Sequence, residues 1–149
     1  MKRSLALAGL VLLLFSCASL QRSRDQSEML SVARLIGTGQ SGTLAGLSAV
    51  PFLLDQEILL LPADVASFWK GLVGAGYRLE APELDRGIPT GPESYKEFKD
   101  SMDVRVFFKK YVKPGTRLLE LRTSDGRRIL LLYRSTPCSR QILGFKGPL

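Results

Sequence analysis

The chain has 149 residues, 21 Lys and Arg against 14 Asp and Glu, no His, and Cys only at positions 17 and 138. Without His, every mechanism that needs an imidazole base, a His-paired nucleophile or a His-ligated metal is excluded, and two cysteines are too few for a thiolate metal site. The positive charge is uneven: residues 17–100 hold 8 basic and 11 acidic side chains, whereas residues 101–149 hold 11 basic and 3 acidic.

The first elements are those of an export signal. Lys2 and Arg3 form a short positive region, and Leu5 to Phe15 is wholly apolar or Gly. That run has signal-peptide length and falls short of the ~20 apolar residues a bilayer-spanning helix needs. It stops at Ser16-Cys17-Ala18-Ser19, ahead of the polar stretch Gln21 to Glu28. Leu14-Phe15-Ser16-Cys17 resembles a bacterial lipobox, although Phe15 is bulkier than the pattern usually has at that position. The resemblance implies diacylglycerol on the Cys17 thiol, cleavage before Cys17, and a further acyl chain on the freed amine. Two or more acyl chains hold firmly to a bilayer, where one holds marginally. The competing reading is a small-residue site for ordinary signal peptidase at Ser16-Cys17-Ala18, which gives a soluble secreted protein. With Cys17 acylated, Cys138 has no partner within the chain, and burial is the commonest fate of such a lone thiol. The expected organisation is a signal peptide at 1–16, a lipidated flexible tether at 17–24, and one domain at 25–149.

Within that domain, Ser23 and Gln26 have capping-box spacing for a helix starting near Asp25, with Met29, Val32, Ala33 and Ile36 on one face and Gly37 and Gly39 ending it. A short helix, Thr43 to Ala49, precedes Pro51. Phe52-Leu53-Leu54 and Ile58 to Leu61 then read as short buried strands around the polar turn Asp55-Gln56-Glu57. Pro62 opens the clearest helix, in which Val65, Phe68, Trp69, Leu72 and Val73 follow at i, i+3, i+4, i+7 and i+8. Asp64 in its first turn suits the helix dipole, Gly74 and Gly76 end it, and Tyr77 to Glu80 reads as extended.

Ala81 to Pro92, with its prolines and glycines, reads as a loop. Pro92 with Tyr95, Phe98 and Met102 predicts a short helix. Val104 to Lys109 reads as a strand leading to the turn Lys113-Pro114-Gly115-Thr116. Arg117 to Arg122 and Arg127 to Arg134 flank Ser124-Asp125-Gly126, a hairpin signal. With Asp125 and Gly126 central, Leu119 and Leu121 share a face with Leu130 and Leu132. The opposite face carries Leu118, Glu120, Arg122, Ile129, Leu131 and Tyr133. It is too apolar to stay wet, and a second copy of the domain or the C-terminal strand, Ser139 to Phe145, is expected to cover it.

This order of elements, above all Leu53 to Gly76, resembles the nuclear-transport-factor-two-like superfamily. The resemblance spans residues 25–145 and implies an α+β fold, with helices packed on a curved, mostly antiparallel sheet that leaves a cone-like pocket. It carries no catalytic motif. In enzymes of that fold an Asp or a His–Asp pair moves protons inside the cone, and here only carboxylates remain for the task. Asp55 or Glu57 is the candidate base, with Tyr77, Tyr95 or Tyr133 as donor, against the simpler reading of a solvated turn. Phe52, Phe68, Trp69, Leu72, Tyr95 and Phe107 are the candidate pocket lining, with a core role for Phe68 and Trp69 the stronger alternative. Gly37-Thr38-Gly39-Gln40-Ser41-Gly42 follows a helix where a dinucleotide fingerprint needs a strand, so it reads as a cap and turn. Asp103 and Arg105 read as an exposed charge pair.

These readings predict a non-enzymatic envelope lipoprotein that binds an apolar small molecule or a protein partner, without metal or cofactor. A small isomerase-like or cyclase-like enzyme and a dimerising adaptor are the alternatives. The bilayer is the partner expected through Cys17, with a homodimer also expected and no nucleic acid, since export removes the chain from it. The basic C-terminal third is either complementary to anionic lipid or simply the solvated face of a sheet. Ala18 after the Cys is not the Asp that retains some lipoproteins at the inner membrane, which points to the outer membrane where the cell has one.

Overall fold

The computed structural model describes residues 2–77, 79, 83–122, 126–136 and 138–148, without the side chains of 2–18. It is an α+β fold of α1 (Lys2–Gly37), α2 (Ser41–Leu47), β1 (Ser48–Leu54), β2 (Glu57–Leu59), α3 (Pro62–Gly74), β3 (Glu83–Pro89), a 3-10 turn (Ser94–Glu97), α4 (Met102–Tyr111), β4 (Thr116–Arg122), β5 (Arg128–Thr136) and β6 (Ser139–Lys146). The strands form one open sheet in the order β2-β1-β6-β5-β4-β3. Every pairing is antiparallel except β1 with β6.

Local chemistry explains the helix ends. After α1 the chain turns at Gly39, φ +75°, and Gln40 N–H returns to Leu35 C=O at 2.9 Å, the six-to-one bond that closes a helix on a left-handed glycine. Gly76, φ +72°, ends α3 in the same way, with Tyr77 N–H on Leu72 C=O. Pro62 at the first position and Asp64 in the first turn start α3 as the sequence predicts. Pro51, which has no N–H to give, lies inside β1 where the β1–β6 register shifts between Ser48 and Leu53.

Helices cover both faces of the sheet. On one, Met29, Val32 and Ile36 of α1, Leu44 of α2, and Val65 and Trp69 of α3 pack on Phe52, Leu119, Leu121, Ile129, Leu131, Ile142 and Phe145. On the other, Tyr95, Phe98, Val104, Phe107 and Phe108 pack on Leu53, Leu118, Leu130, Leu132 and Leu143.

The structure corrects the sequence reading in several places. Where the sequence suggests a tether ahead of a helix starting near Asp25, α1 runs unbroken through residues 18–24. Gln26 does not close a capping box, and its side-chain oxygen instead accepts Leu84 N–H at 3.2 Å. The segment read as a loop from Ala81 contains β3, which tolerates Gly87 and Pro89 because it is an edge strand paired only to β4. The strand expected at Val104 to Lys109 is the helix α4. Ser101 caps it by accepting Val104 N–H, and Val104, Phe107, Phe108 and Tyr111 fall at i, i+3, i+4 and i+7.

The β4–β5 register is also one residue from the predicted one. Leu119 faces Leu131 and Leu121 faces Ile129, because Arg122 pairs with Arg128 across a longer connection than two residues. A one-residue slip exchanges the faces, so Leu118, Leu130 and Leu132 lie together under α4. Of the second face expected to be covered by another copy or the C-terminal strand, Leu118 lies under α4 and the 3-10 turn, and Ile129, Leu131 and Tyr133 lie on the α1–α3 side, so helices of the same chain cover both. Cys138 is exposed, not buried.

Candidate functional site

The carboxylates proposed from sequence lie on the surface. Asp55 and Glu57 are exposed in and beside the β1–β2 turn, where Asp55 adopts φ 52° and its Oδ1 accepts Gly147 N–H at 3.1 Å. Tyr77 is half-buried beyond α3, with the Arg127 guanidinium 5.7 Å from its ring centre. A turn carboxylate facing water has no apolar enclosure to turn it into a base, and the isomerase-like geometry is not formed by these residues.

The proposed pocket lining divides across the sheet. Phe52, Phe68, Trp69 and Leu72 belong to the α1–α3 side, Tyr95 and Phe107 to the α4 side. Phe52 and Trp69 are 0% exposed. Their rings lie 6.1 Å apart, and Phe145 sits 5.6 Å from Trp69, so these aromatics pack on one another as core and enclose no cavity between them. The indole N–H donates to Ser48 Oγ at 2.8 Å, and that hydroxyl donates to Leu44 C=O. The polar edge of Trp69 is satisfied within the core, as buried Trp requires.

Two features that sequence reasoning did not assemble stand at one end of the sheet. The first is a buried polar clamp between α1 and the sheet. Asp25 Oδ2 accepts Arg117 Nε at 2.9 Å and Nη2 at 2.6 Å, and Oδ1 accepts Gln21 Nε2 at 2.8 Å. Arg117 also donates to Gly87 C=O at 2.7 Å. A Cβ added at Gly87 would lie 2.5 Å from Asp25 Oδ2, so the carboxylate reaches the sheet only because residue 87 has no side chain. One turn along α1, Glu28 accepts the Tyr133 hydroxyl at 2.8 Å and the Ser135 hydroxyl at 3.3 Å, with Arg140 Nε at 3.4 Å. Burial, then the hydrogen bond to Glu28 and the charge of that carboxylate, raise the Tyr133 pKa against the opposing pull of Arg140 and Arg24, so the phenol stays protonated and donating. A cavity of about 190 Å³ lies among Gln21, Asp25, Glu28, Arg117, Tyr133 and Ser135. Its polar groups are committed to one another, and the cluster fixes α1 to the sheet.

The signal for this clamp is present in the sequence. Asp25 and Glu28 fall on the same helical stripe as Met29, Val32 and Ile36, and carboxylates on an apolar stripe need buried partners.

The second feature is a groove of about 650 Å³ between the 3-10 turn, α4 and the loop into β4. Tyr95, Phe108 and Val112 give it an apolar floor, and Arg105, Lys109 and Lys113 a basic rim. Its walls are set by Thr90, whose N–H and hydroxyl both reach Thr116 C=O at 3.1 Å, and by Thr116, whose hydroxyl donates to Lys113 C=O at 2.7 Å. Arg105 lies 4.9 Å from the Tyr95 ring centre and pairs with Asp100 at 3.1 Å, not with Asp103. Pro89, Gly115 and Thr116 line both the groove and the clamp cavity, so the groove lies at the end of the sheet where α1 enters the domain.

Among the described residues no cluster of His, Cys, Asp and Glu has metal-site geometry, and no helix is long and apolar enough to cross a membrane. No family model matches the chain, and no curated protein matches it in sequence.

Proposed function

We propose that this chain is an exported lipoprotein of the bacterial envelope, acylated at Cys17, whose α+β domain is held with one end against a bilayer and binds a ligand there without transforming it. The observation that carries this reading is the clamp. Because α1 continues through residues 18–24 and is fastened by Asp25 and Glu28, Cys17 is eight residues, or roughly 12 Å of helix, from the first clamped side chain. An anchor so close gives the domain little slack and one preferred end toward the lipid. At that end Asp25 and Glu28 are buried and paired, the exposed Glu93 and Asp85 are paired with Lys96 and Arg122, and Arg22, Arg24, Lys109 and Lys113 are exposed without a carboxylate partner among the described residues. A net positive end favours an anionic leaflet.

Neither alternative gains a supporting observation. The enzyme reading relied on Asp55 and Glu57, which are solvated, and the adaptor reading relied on an apolar sheet face that helices of the same chain cover. The resemblance to the nuclear-transport-factor-two-like superfamily stays a proposal at the level of fold. It is supported by the predicted order of helix, short helix, hairpin and long helix, and the packing of Phe52, Trp69 and Phe145 on one another weighs against a ligand on that face. Ala18 after the Cys, in place of the Asp that retains some lipoproteins at the inner membrane, supports an outer-membrane location where the cell has one.

Intact-mass and peptide mass spectrometry of the native protein tests the proposal. The expected result is a mature N-terminus at Cys17 with added acyl mass, lost in Cys17→Ser together with membrane fractionation. A mature N-terminus elsewhere, or an unmodified Cys17, overturns it in favour of a soluble secreted protein.

A further inference from the structure

We propose that the groove between the Ser94–Glu97 turn and α4 seats one anionic phospholipid, with its phosphate on Lys109 and Lys113 and the first part of an acyl chain along Tyr95, Phe108 and Val112. The proposal deepens the reading above by naming the ligand, and rests on that reading for the source of the lipid.

Three observations carry it. The first is shape and chemistry: about 650 Å³ lies within the range of small-ligand sites, and an apolar floor with a polar group at one side suits an amphiphile better than a fully polar solute. The second is charge. Lys109 and Lys113 are exposed and make no hydrogen bond or ion pair among the described residues, whereas Arg105, a helical turn before Lys109, is paired with Asp100 at 3.1 Å and adds no free charge. Glu93, the sole carboxylate of the lining, is already paired with Lys96. The groove therefore presents uncompensated positive charge. Lys109 in the last turn of α4 also complements the helix dipole, but Lys113 lies beyond the helix end, where that role has faded.

The third observation is place. The groove shares Pro89, Gly115 and Thr116 with the cavity under the clamped segment of α1, so it is at the anchored end of the domain. A lipid lifted partly from the leaflet has a short path to it. Val106, 51% exposed on the outer side of α4, adds apolar surface beside the rim.

The test uses the mature chain, residues 17–149, carrying Cys17→Ser, so that neither an acyl anchor nor the apolar Leu5–Phe15 run can account for binding. Dioctanoyl phosphatidylglycerol and dioctanoyl phosphatidylcholine, each kept below its micelle concentration, are titrated and followed by calorimetry. Saturable one-to-one binding of the anionic lipid is expected, at least tenfold tighter than the zwitterionic one. Lys109→Glu with Lys113→Glu is expected to weaken it at least tenfold in a chain that still unfolds cooperatively, with only the small loss of thermal midpoint that an acid in the last turn of α4 brings, and Val112→Asp to weaken it from the apolar side. Equal binding of the two lipids, or unaltered affinity in the double charge reversal, overturns the proposal. Glycerol phosphate or octanoate binding as tightly as the phospholipid also overturns it, identifying a soluble anion or a free fatty acid as the ligand. The two readings fail separately: an acylated Cys17 without lipid titration removes the groove site alone, and titration with an unacylated Cys17 removes the anchor alone.

Discussion

Arg117 on β4 donates two hydrogen bonds to Asp25 on α1, at 2.9 and 2.6 Å, across 92 positions of sequence. The carboxylate is 4% exposed and the guanidinium side chain 21% exposed, so the pair is shielded from water. Removing one member of such a pair strands the other, at about 3–5 kcal/mol, more than the intact pair contributes over apolar replacements. Arg117→Leu is therefore expected to lower unfolding free energy by about 3 kcal/mol or more in urea titration. The double variant Asp25→Leu with Arg117→Leu should recover a large part of that loss. A single-variant loss below about 1 kcal/mol would show that α1 does not depend on this contact.

Tyr133 makes the same junction sensitive to alkali. Its folded pKa is raised, so the fold favours the protonated phenol over the ordinary value near 10. The contribution is thus fully present below about pH 10 and is lost as pH climbs through the folded value. Thermal midpoints recorded across pH 8–12 should fall more steeply for the parent than for Tyr133→Phe. The Phe variant itself is expected to lose about 1 kcal/mol at neutral pH, since Glu28 keeps Ser135 and Arg140.

Gly144 is where the sheet is tightest. It faces Leu53 on β1 and Leu132 on β5, and an added Cβ would lie 2.8 Å from Leu53 O and 3.1 Å from Leu53 Cβ. Backbone cannot swing aside as a long side chain does. Gly144→Ala is expected to destabilise by about 1–3 kcal/mol in chemical denaturation, whereas Gly46→Ala, with nothing near its Cβ position, should be neutral or mildly stabilising. Equal effects from the two would contradict the packing described.

Phe107 and Trp69 anchor opposite faces of the sheet, each at 1% exposure or less. Alanine at either is expected to remove about 3–5 kcal/mol. Because they lie on separate faces and share no neighbours in their clusters, the two losses should add to within about 0.5 kcal/mol. Marked non-additivity in a double variant would mean that the faces are coupled.

How much of this could be read from the chain follows from what each residue competes with. The Val65–Val73 helix was legible because five large apolar side chains repeat at one period between a proline and two glycines. The β1–β2 hairpin and β6 were legible for similar reasons. The Val104 segment was not, because two valines and two phenylalanines satisfy a strand rhythm locally, and only the Ser101 cap and the position of Tyr111 break the tie. β3 was hidden by Gly87 and Pro89, which an edge position permits. The β4–β5 register depended on loop length, and one residue of difference put Ile129 and Leu131, in place of Leu130 and Leu132, on the face of Leu119 and Leu121. The clamp stayed hidden because Arg117, Tyr133 and Arg140 meet Asp25 and Glu28 only after the whole sheet is assembled. Asp55 and Glu57 drew notice as conspicuous acids, yet a tight turn into the edge strand β2 leaves their side chains in water, and Leu60 and Leu61, expected in a buried strand, are exposed as well.

The placement of β6 has a consequence for how the molecule folds. Its parallel pairing with β1 and antiparallel pairing with β5 make β6 the joint between two otherwise separate strand groups, β1–β2 and β3–β4–β5. Until Ser139 to Lys146 is paired on both sides, the two groups share no strand pairing. Closure of the sheet thus depends on the β1–β6 contact, which spans most of the described chain, and pairings so distant in sequence are slow to form.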